Sequence, residues 1–247
     1  MLEVRGLGKE FHGVHAIDDV SFDVAAGSIT SLIGPNGAGK TTLINMVTGV
    51  LPPTRGTIKL GGKLLSGRRP HEIARMGVRR TFQTVRLFSG LSVHENLLIG
   101  RMSELLSRSR LSLLLPMMMG DAEGRRRADE VLKMLGLLHL ANEIAADLPY
   151  GTQRRVEIAR VLMSQPAFAL LDEPAAGMNE QETEQLVDDV RRIRAEGVTV
   201  LLVEHDMTMV MSVSDKVIVL NFGRKISEGS PAYVQSDPEV INSYLGE

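Results

Sequence analysis

Gly34-Pro35-Asn36-Gly37-Ala38-Gly39-Lys40-Thr41 reads G-x-x-x-x-G-K-T, the spacing of a phosphate-binding loop. Its flanks agree with its letters. Ile29-Thr30-Ser31-Leu32-Ile33 is a short, mostly apolar run that predicts a buried strand. Thr42-Leu43-Ile44-Asn45-Met46-Val47-Thr48-Gly49 spaces its apolar residues as a helix does and closes on a glycine. A strand, a glycine loop and a helix start aim several backbone N–H groups at one point beside the positive end of the helix dipole. Asn36, Gly37, Ala38, Gly39, Lys40, Thr41 and Thr42 are therefore a candidate seat for the β- and γ-phosphates of a nucleotide. Lys40 adds a point charge, and Thr41 offers a hydroxyl to Mg²⁺.

Upstream of this stretch, residues 2–7 and 20–24 read as strands. Val20-Ser21-Phe22-Asp23-Val24 alternates apolar and polar side chains, as a half-exposed antiparallel strand does. Downstream, Leu51-Pro52-Pro53-Thr54-Arg55-Gly56 is a turn, and residues 78–83 read as a strand ending at Gln83. From about residue 94 to 148 strand signals stop and helical ones take over. Residues 124–140 place Val131, Leu132, Leu135 and Leu138 on one face with Arg and Glu opposite, an amphipathic helix. Leu113-Leu114-Leu115-Pro116-Met117-Met118-Met119 reads either as a loop packed on this segment or as a docking patch for an apolar partner. Arg125-Arg126-Arg127 reads as a solvated helix face, with lipid headgroups as the other reading. A second helix is expected over residues 153–164. Then α/β character resumes: strands at 168–171 and 198–203, a charged helix at 180–195, a hairpin around Phe222-Gly223 and a helical tail over 231–244. Strands alternating with helices predict a parallel sheet with its site at the carboxyl edge.

Composition narrows the chemistry. A length of 247 residues and a hydrophobic share of 43% suffice for a full core. A net charge of −2 supplies no global basic field, so no nucleic-acid partner is expected. The absence of cysteine removes disulfides, thiolate metal sites and thiol nucleophiles. The first residues lack the layout of a signal peptide, and no apolar run reaches the roughly 18 residues that span a bilayer. The chain is expected to be soluble, or peripheral to a membrane through a partner.

Phe168-Ala169-Leu170-Leu171-Asp172-Glu173 then supplies what phosphoryl transfer needs besides a phosphate seat. A buried strand delivers two carboxylates to the sheet edge. Asp172 is placed to hold Mg²⁺, directly or through water, and Glu173 to polarise an attacking water. His205 follows another buried strand.

Together these motifs resemble an ATP-binding cassette ATPase, over the whole chain. Residues 34–42 resemble the Walker A motif and 168–173 the Walker B motif. The resemblance implies that Gln83 is the Q-loop glutamine, touching Mg²⁺ and the attacking water. It implies that His205 is the switch histidine at the γ-phosphate and that Ala176, Gly177, Met178 and Asn179 belong to the D-loop. Phe11 sits where an aromatic residue stacks on adenine; core packing is the other reading of a lone aromatic. The implied fold is α/β, a P-loop core with a mixed, largely parallel sheet, an N-terminal antiparallel β subdomain and a helical insertion. The core would comprise residues 1–93 and 165–247, and the helical subdomain 94–164 would carry the signature loop.

The signature departs from the family's Leu-Ser-Gly-Gly-x-Gln. Here it is Leu148-Pro149-Tyr150-Gly151-Thr152-Gln153. In the family this loop binds the γ-phosphate held by an opposite cassette, so Pro149, Tyr150, Gly151, Thr152 and Gln153 are expected at a second subunit's ATP. Pro149 removes a hydroxyl and one N–H, and is tolerated at a helix start. Asn179 stands where many relatives carry Asp. Leu-Pro-Tyr-Gly-x-Gln-Arg-Arg, Glu-Pro-Ala-Ala-Gly, residues 73–88, the Leu/Met-rich stretch near 102–120 and the ending Ser243-Tyr244-Leu245-Gly246-Glu247 resemble the ATPase of branched-chain amino acid importers. The resemblance implies ATP and Mg²⁺, a second ATPase subunit (the same chain or a sister), two integral membrane permease subunits and, indirectly, an external binding protein. The implied location is the cytoplasmic face of the inner membrane. An amide or urea importer, a lipopolysaccharide exporter, and a soluble cassette ATPase outside transport are the alternatives.

Overall fold

The computed structural model describes residues 1–81, 83–108 and 121–245, the side chains of 102–108 and 245 excepted. Phe82, the Leu/Met-rich run at 113–119 and the last two residues of the Ser243 ending lie outside the described residues. The chain divides into two compact units, Met1–Arg80 with Ala167–Glu173 and Ile193–Glu247, and Thr81–Pro166 with Pro174–Arg192.

The first unit holds two sheets. The antiparallel one has the order β2-β1-β4-β5, from β1 (Leu2–Phe11), β2 (Val14–Val24), β4 (Arg55–Leu60) and β5 (Lys63–Leu64). On β2 the alternation holds: Val20, Phe22 and Val24 are buried, and Asp19 is exposed. Both β1 and β2 run further than the sequence patterns at 2–7 and 20–24, because Phe11 pairs with Val14 across a two-residue turn and extends the ladder into polar residues. The second sheet has the order β10-β9-β3-β8-β7-β6. It comprises β3 (Ile29–Ile33), β6 (Val78–Arg80), β7 (Phe168–Asp172), β8 (Thr199–Val203), β9 (Lys216–Asn221) and β10 (Arg224–Gly229). All its pairings are parallel except the β9–β10 hairpin. Every residue of β3, β7 and β8 is buried, as continuous apolar runs in a covered parallel sheet require. Helix α1 (Lys40–Val47) buries Leu43, Ile44, Met46 and Val47 in one core with Leu32, Val20, Phe22 and Leu170. Strand β6 ends at Arg80, short of the expected strand over 78–83, so Gln83 lies in a bend. Short helices α2 (Pro70–Arg75), α7 (Met207–Val213), α8 (Pro231–Ser236) and α9 (Pro238–Leu245) complete this unit; the tail is two helices because Asp237 is extended before Pro238.

The second unit is helical. It contains α3 (Val93–Arg108), α4 (Ala122–Met134), α5 (Tyr150–Leu162) and most of α6 (Glu180–Ala195). The side chain of Asp121 caps α4 by accepting from Gly124 N–H at 2.8 Å. The helix stops at Met134 rather than 140, and Leu138, expected on the buried face, is 41% exposed in a 3₁₀ turn. Helix α5 begins at Tyr150, three residues before the expected start. Pro149 caps it, and its carbonyl accepts from Gln153 N–H at 2.9 Å. Arg126 and Arg127 pair with Glu130 along α4, as a solvated face does. Among the described residues no helix is long and apolar enough to cross a membrane.

Candidate active site

The glycine loop leaves β3 and enters α1 with Gly34, Gly37 and Gly39 at positive φ. Gly34 is required by proximity as well as conformation: a Cβ there would lie 2.1 Å from the carbonyl oxygen of Leu220. The first intrahelical bond runs from Leu43 N–H to Gly39 O at 2.9 Å, and no side chain caps α1. The N–H groups of a helix's first turn have no partner within the helix, which makes such a start a candidate anion seat. Asn36, Gly37 and Thr41 are exposed, whereas Ala38 is buried and its carbonyl accepts from Gly223 N–H at 3.0 Å. Lys40 Nζ donates to the carbonyls of Gly34 at 2.6 Å and Pro35 at 3.0 Å. The ammonium is thereby held at the loop itself, in reach of whatever the loop binds.

Strand β8 lies next to β3 and β7 next to β8, all parallel, so their carboxyl ends open at the same edge. Asp172, the last residue of β7, is 6% exposed, and its Oδ2 accepts from Arg80 Nη2 at 2.8 Å. Arg80 also reaches Asn45 of α1 at 2.7 Å, bridging the acidic strand to the glycine-loop helix. Glu173 follows with φ +45, a strained conformation for a non-glycine residue, and its N–H is held by Val203 O at 2.8 Å. After β8, Glu204 is fully buried; its Oε2 accepts from His205 N–H at 3.0 Å and lies 3.8 Å from His205 Nδ1. The His205 side chain itself is 65% exposed. Phe11 is 40% exposed at the end of the β1–β2 hairpin, not in the core, and Lys9 Nζ lies 5.0 Å from its ring centroid.

Thr41 and Asp172 are hard oxygen donors, the type Mg²⁺ prefers. Among the described residues no group of three or more His, Asp or Glu is arranged to hold a metal ion alone. A Mg²⁺ ion that arrives with a nucleotide would keep phosphate and water oxygens and need only one or two from protein.

The second unit carries Gln83 and the segments expected as signature loop and D-loop. Gln83 is exposed, and the chain beyond it is stapled by buried Asn96, whose Oδ1 accepts from Phe88 N–H at 2.8 Å. Pro149 and Tyr150 are exposed, Gly151 is buried, and Thr152 and Gln153 are half-buried; Gln153 Nε2 donates to Leu148 O at 2.8 Å. In the D-loop Ala176 and Met178 are half-buried and Gly177 and Asn179 are exposed. Asn179 caps α6 reciprocally with Glu182: Asn179 N–H donates to Glu182 Oε2, and Glu182 N–H to Asn179 Oδ1, both at 3.0 Å.

Four charged residues escaped the sequence reading. Arg80 and Glu204 are two. Arg154 and Glu157 are the others, a pair 2.9 Å apart with exposures of 0% and 1%. Glu157 also accepts from Arg86 N–H at 3.4 Å, tying α5 to the chain after Gln83. Burial pushes the Glu157 carboxyl up, outweighing the neighbouring guanidinium groups of Arg154 and Arg160. A signal existed: Arg154 and Glu157 are three apart and flanked by Val156, Ile158 and Ala159, which places charge on a buried face.

The profile of the family "ABC transporter" matches residues 17–176, and that of "Branched-chain amino acid ATP-binding cassette transporter" matches residues 224–247. The chain is 45% identical over 250 residues to the high-affinity branched-chain amino acid transport ATP-binding protein LivG of Salmonella typhimurium, covering 100% of this chain and 98% of that protein. It is similar to the solved ADP conformation of MJ1267, an ATP-binding cassette of an ABC transporter, at 35% identity and a TM-score of 0.89, covering 100% of this chain and 99% of that one. The dimeric structure of MJ0796, a bacterial ABC transporter cassette, matches at 26% identity and a TM-score of 0.77, covering 94% and 99%.

Proposed function

The chain belongs to the ABC transporter family, and we propose that it is the ATP-hydrolysing subunit of an importer for branched-chain amino acids. One observation carries the chemistry: an uncapped helix start behind a glycine loop opens at the sheet edge where β7 and β8 end in Asp172, Glu173 and His205. The N–H groups of residues 36–42 would bind the β- and γ-phosphates, and Lys40 would exchange the carbonyls of Gly34 and Pro35 for phosphate oxygens. Thr41 and Asp172 would hold Mg²⁺, which would supply neutralisation of phosphate charge when bound. Glu173 accepts the proton of the attacking water, its backbone fixed by Val203. His205, its turn pinned by Glu204, donates to the γ-phosphate. Phe11 stacks on adenine.

The division of labour follows. Residues 1–93 and 165–247 bind ATP, and 94–164 present the signature loop to the ATP of a second cassette. Residues Pro149 to Gln153 and the D-loop Ala176, Gly177, Met178 and Asn179 form that face. Two membrane permeases receive the motion at the cytoplasmic face of the membrane, and an external binding protein delivers cargo to them. Glu173→Gln tests the catalytic assignment: ATP binding by calorimetry should persist while phosphate release falls at least about 100-fold. Unchanged phosphate release would remove Glu173 from the base role. Co-purification with two permeases, and leucine uptake by vesicles carrying all subunits, tests the cargo; uptake of an amide or urea instead would reassign it.

A further inference from the structure

The signature loop and the D-loop interlock through two glycines. A Cβ added to Gly177 would lie 3.2 Å from Cε1 and 3.7 Å from Cδ1 of Tyr150, so the phenol ring rests directly on the D-loop backbone. A Cβ added to Gly151 would lie 2.5 Å from Cδ and Oε1 of Glu182, so that carboxylate rests on the first turn of α5. The signature loop therefore offers a ring to Gly177, and the first turn of α6 offers a carboxylate to Gly151. Glu182 cannot drift, because its second oxygen is the cap that holds Asn179 N–H at 3.0 Å. Tyr150 and Asn179, two of the three positions where this chain departs from the family pattern, thus belong to one arrangement: the ring presses on Gly177, and Asn179 fixes the carboxylate that presses on Gly151. A glycine at position 150 would have no ring to place there.

We infer that Tyr150 is a positioning residue that holds the D-loop against the signature loop, so that both meet the opposite cassette's ATP as one preordered surface. The inference rests on the ATP-sandwich reading above. Preordering matters because Gly177 sits at φ +80 in an exposed turn whose conformational freedom would otherwise be lost at closure.

Hydrogen exchange of the nucleotide-free full chain tests the contact itself. Tyr150→Ala should speed exchange of the amides at 176–179 about tenfold, and Tyr150→Phe should leave it at the parent rate. Sedimentation of the same variants in a Glu173→Gln background, with ATP, tests its use. Tyr150→Ala and Gly177→Ala should each weaken ATP-driven dimerisation about tenfold, and the double variant should be weakened less than the product of the two. Unaltered exchange in Tyr150→Ala overturns the interlock whatever ATP does. Faster exchange with unaltered dimerisation, or with effects that multiply, overturns its role in closure. A parent that binds ATP without dimerising overturns the sandwich reading, and this role with it.

Discussion

Replacing Gly34 by alanine places a methyl group 2.1 Å from Leu220 O and 3.1 Å from the Ala38 Cβ. An ordinary C···O contact is about 3.3 Å, so the end of β9 and the start of the loop must separate by about 1.2 Å. At φ +148 the backbone adds strain of about 1–3 kcal/mol for any L side chain. Overpacking adds about 1–3 kcal/mol more, for a total on the order of 2–6 kcal/mol. At roughly 2–4 °C per kcal/mol in a chain of this size, the melting temperature should fall on the order of 10 °C. Gly37→Ala, in the same loop, is the control. Its φ is +78 but nothing lies within 4 Å of its Cβ, so only backbone strain of about 1–2 kcal/mol is expected. Thermal unfolding by circular dichroism, with phosphate release, separates the two. A 1 Å displacement of positioned groups costs roughly 100-fold in rate, so Gly34→Ala should also lower phosphate release to that order. Equal melting temperatures for the two variants would refute the claim that β9 braces the loop.

Replacing both members of the buried pair, Arg154→Met with Glu157→Leu, should be neutral or stabilise the fold by about 1–4 kcal/mol, because apolar side chains of similar volume need no desolvation of charge; a lower denaturation midpoint would contradict this. Pro149→Ser keeps the carbonyl that accepts from Gln153 and adds a capping hydroxyl, so urea unfolding should show a gain of about 0.5–1 kcal/mol. Glu72 accepts from Arg69 N–H, which lowers its carboxyl to about 2. Its contribution is present above the ordinary value of 4.5 and fades as pH falls through about 2, so the deficit of Glu72→Gln at pH 7 should vanish during acid titration. A deficit that persists at pH 2 would show that the cap is not electrostatic.

The phosphate seat was legible because it is local. Residues 29–49 contain the strand, the loop, the ammonium and the helix start, and each follows from neighbours a few positions away. Buried strands β7 and β8 were legible for a similar reason: a short apolar run ending in polar residues names both its burial and its exit edge. Boundaries were less so. Helix α5 starts at Tyr150 because Pro149 caps it, and β6 stops at Arg80, two features set by backbone conformation rather than by apolar spacing.

The amino-acid sequence by itself determined the class of chemistry, the α/β core and the candidate residues for phosphate binding, since periodicity and contiguous motifs encode these. Tertiary structure alone decided their partners. Arg80 meets Asp172 across 92 positions of chain, and Tyr150 lies over Gly177. No period links such residues. Their meeting depends on how strands align and where loops turn, which one chain of letters does not express until it is folded.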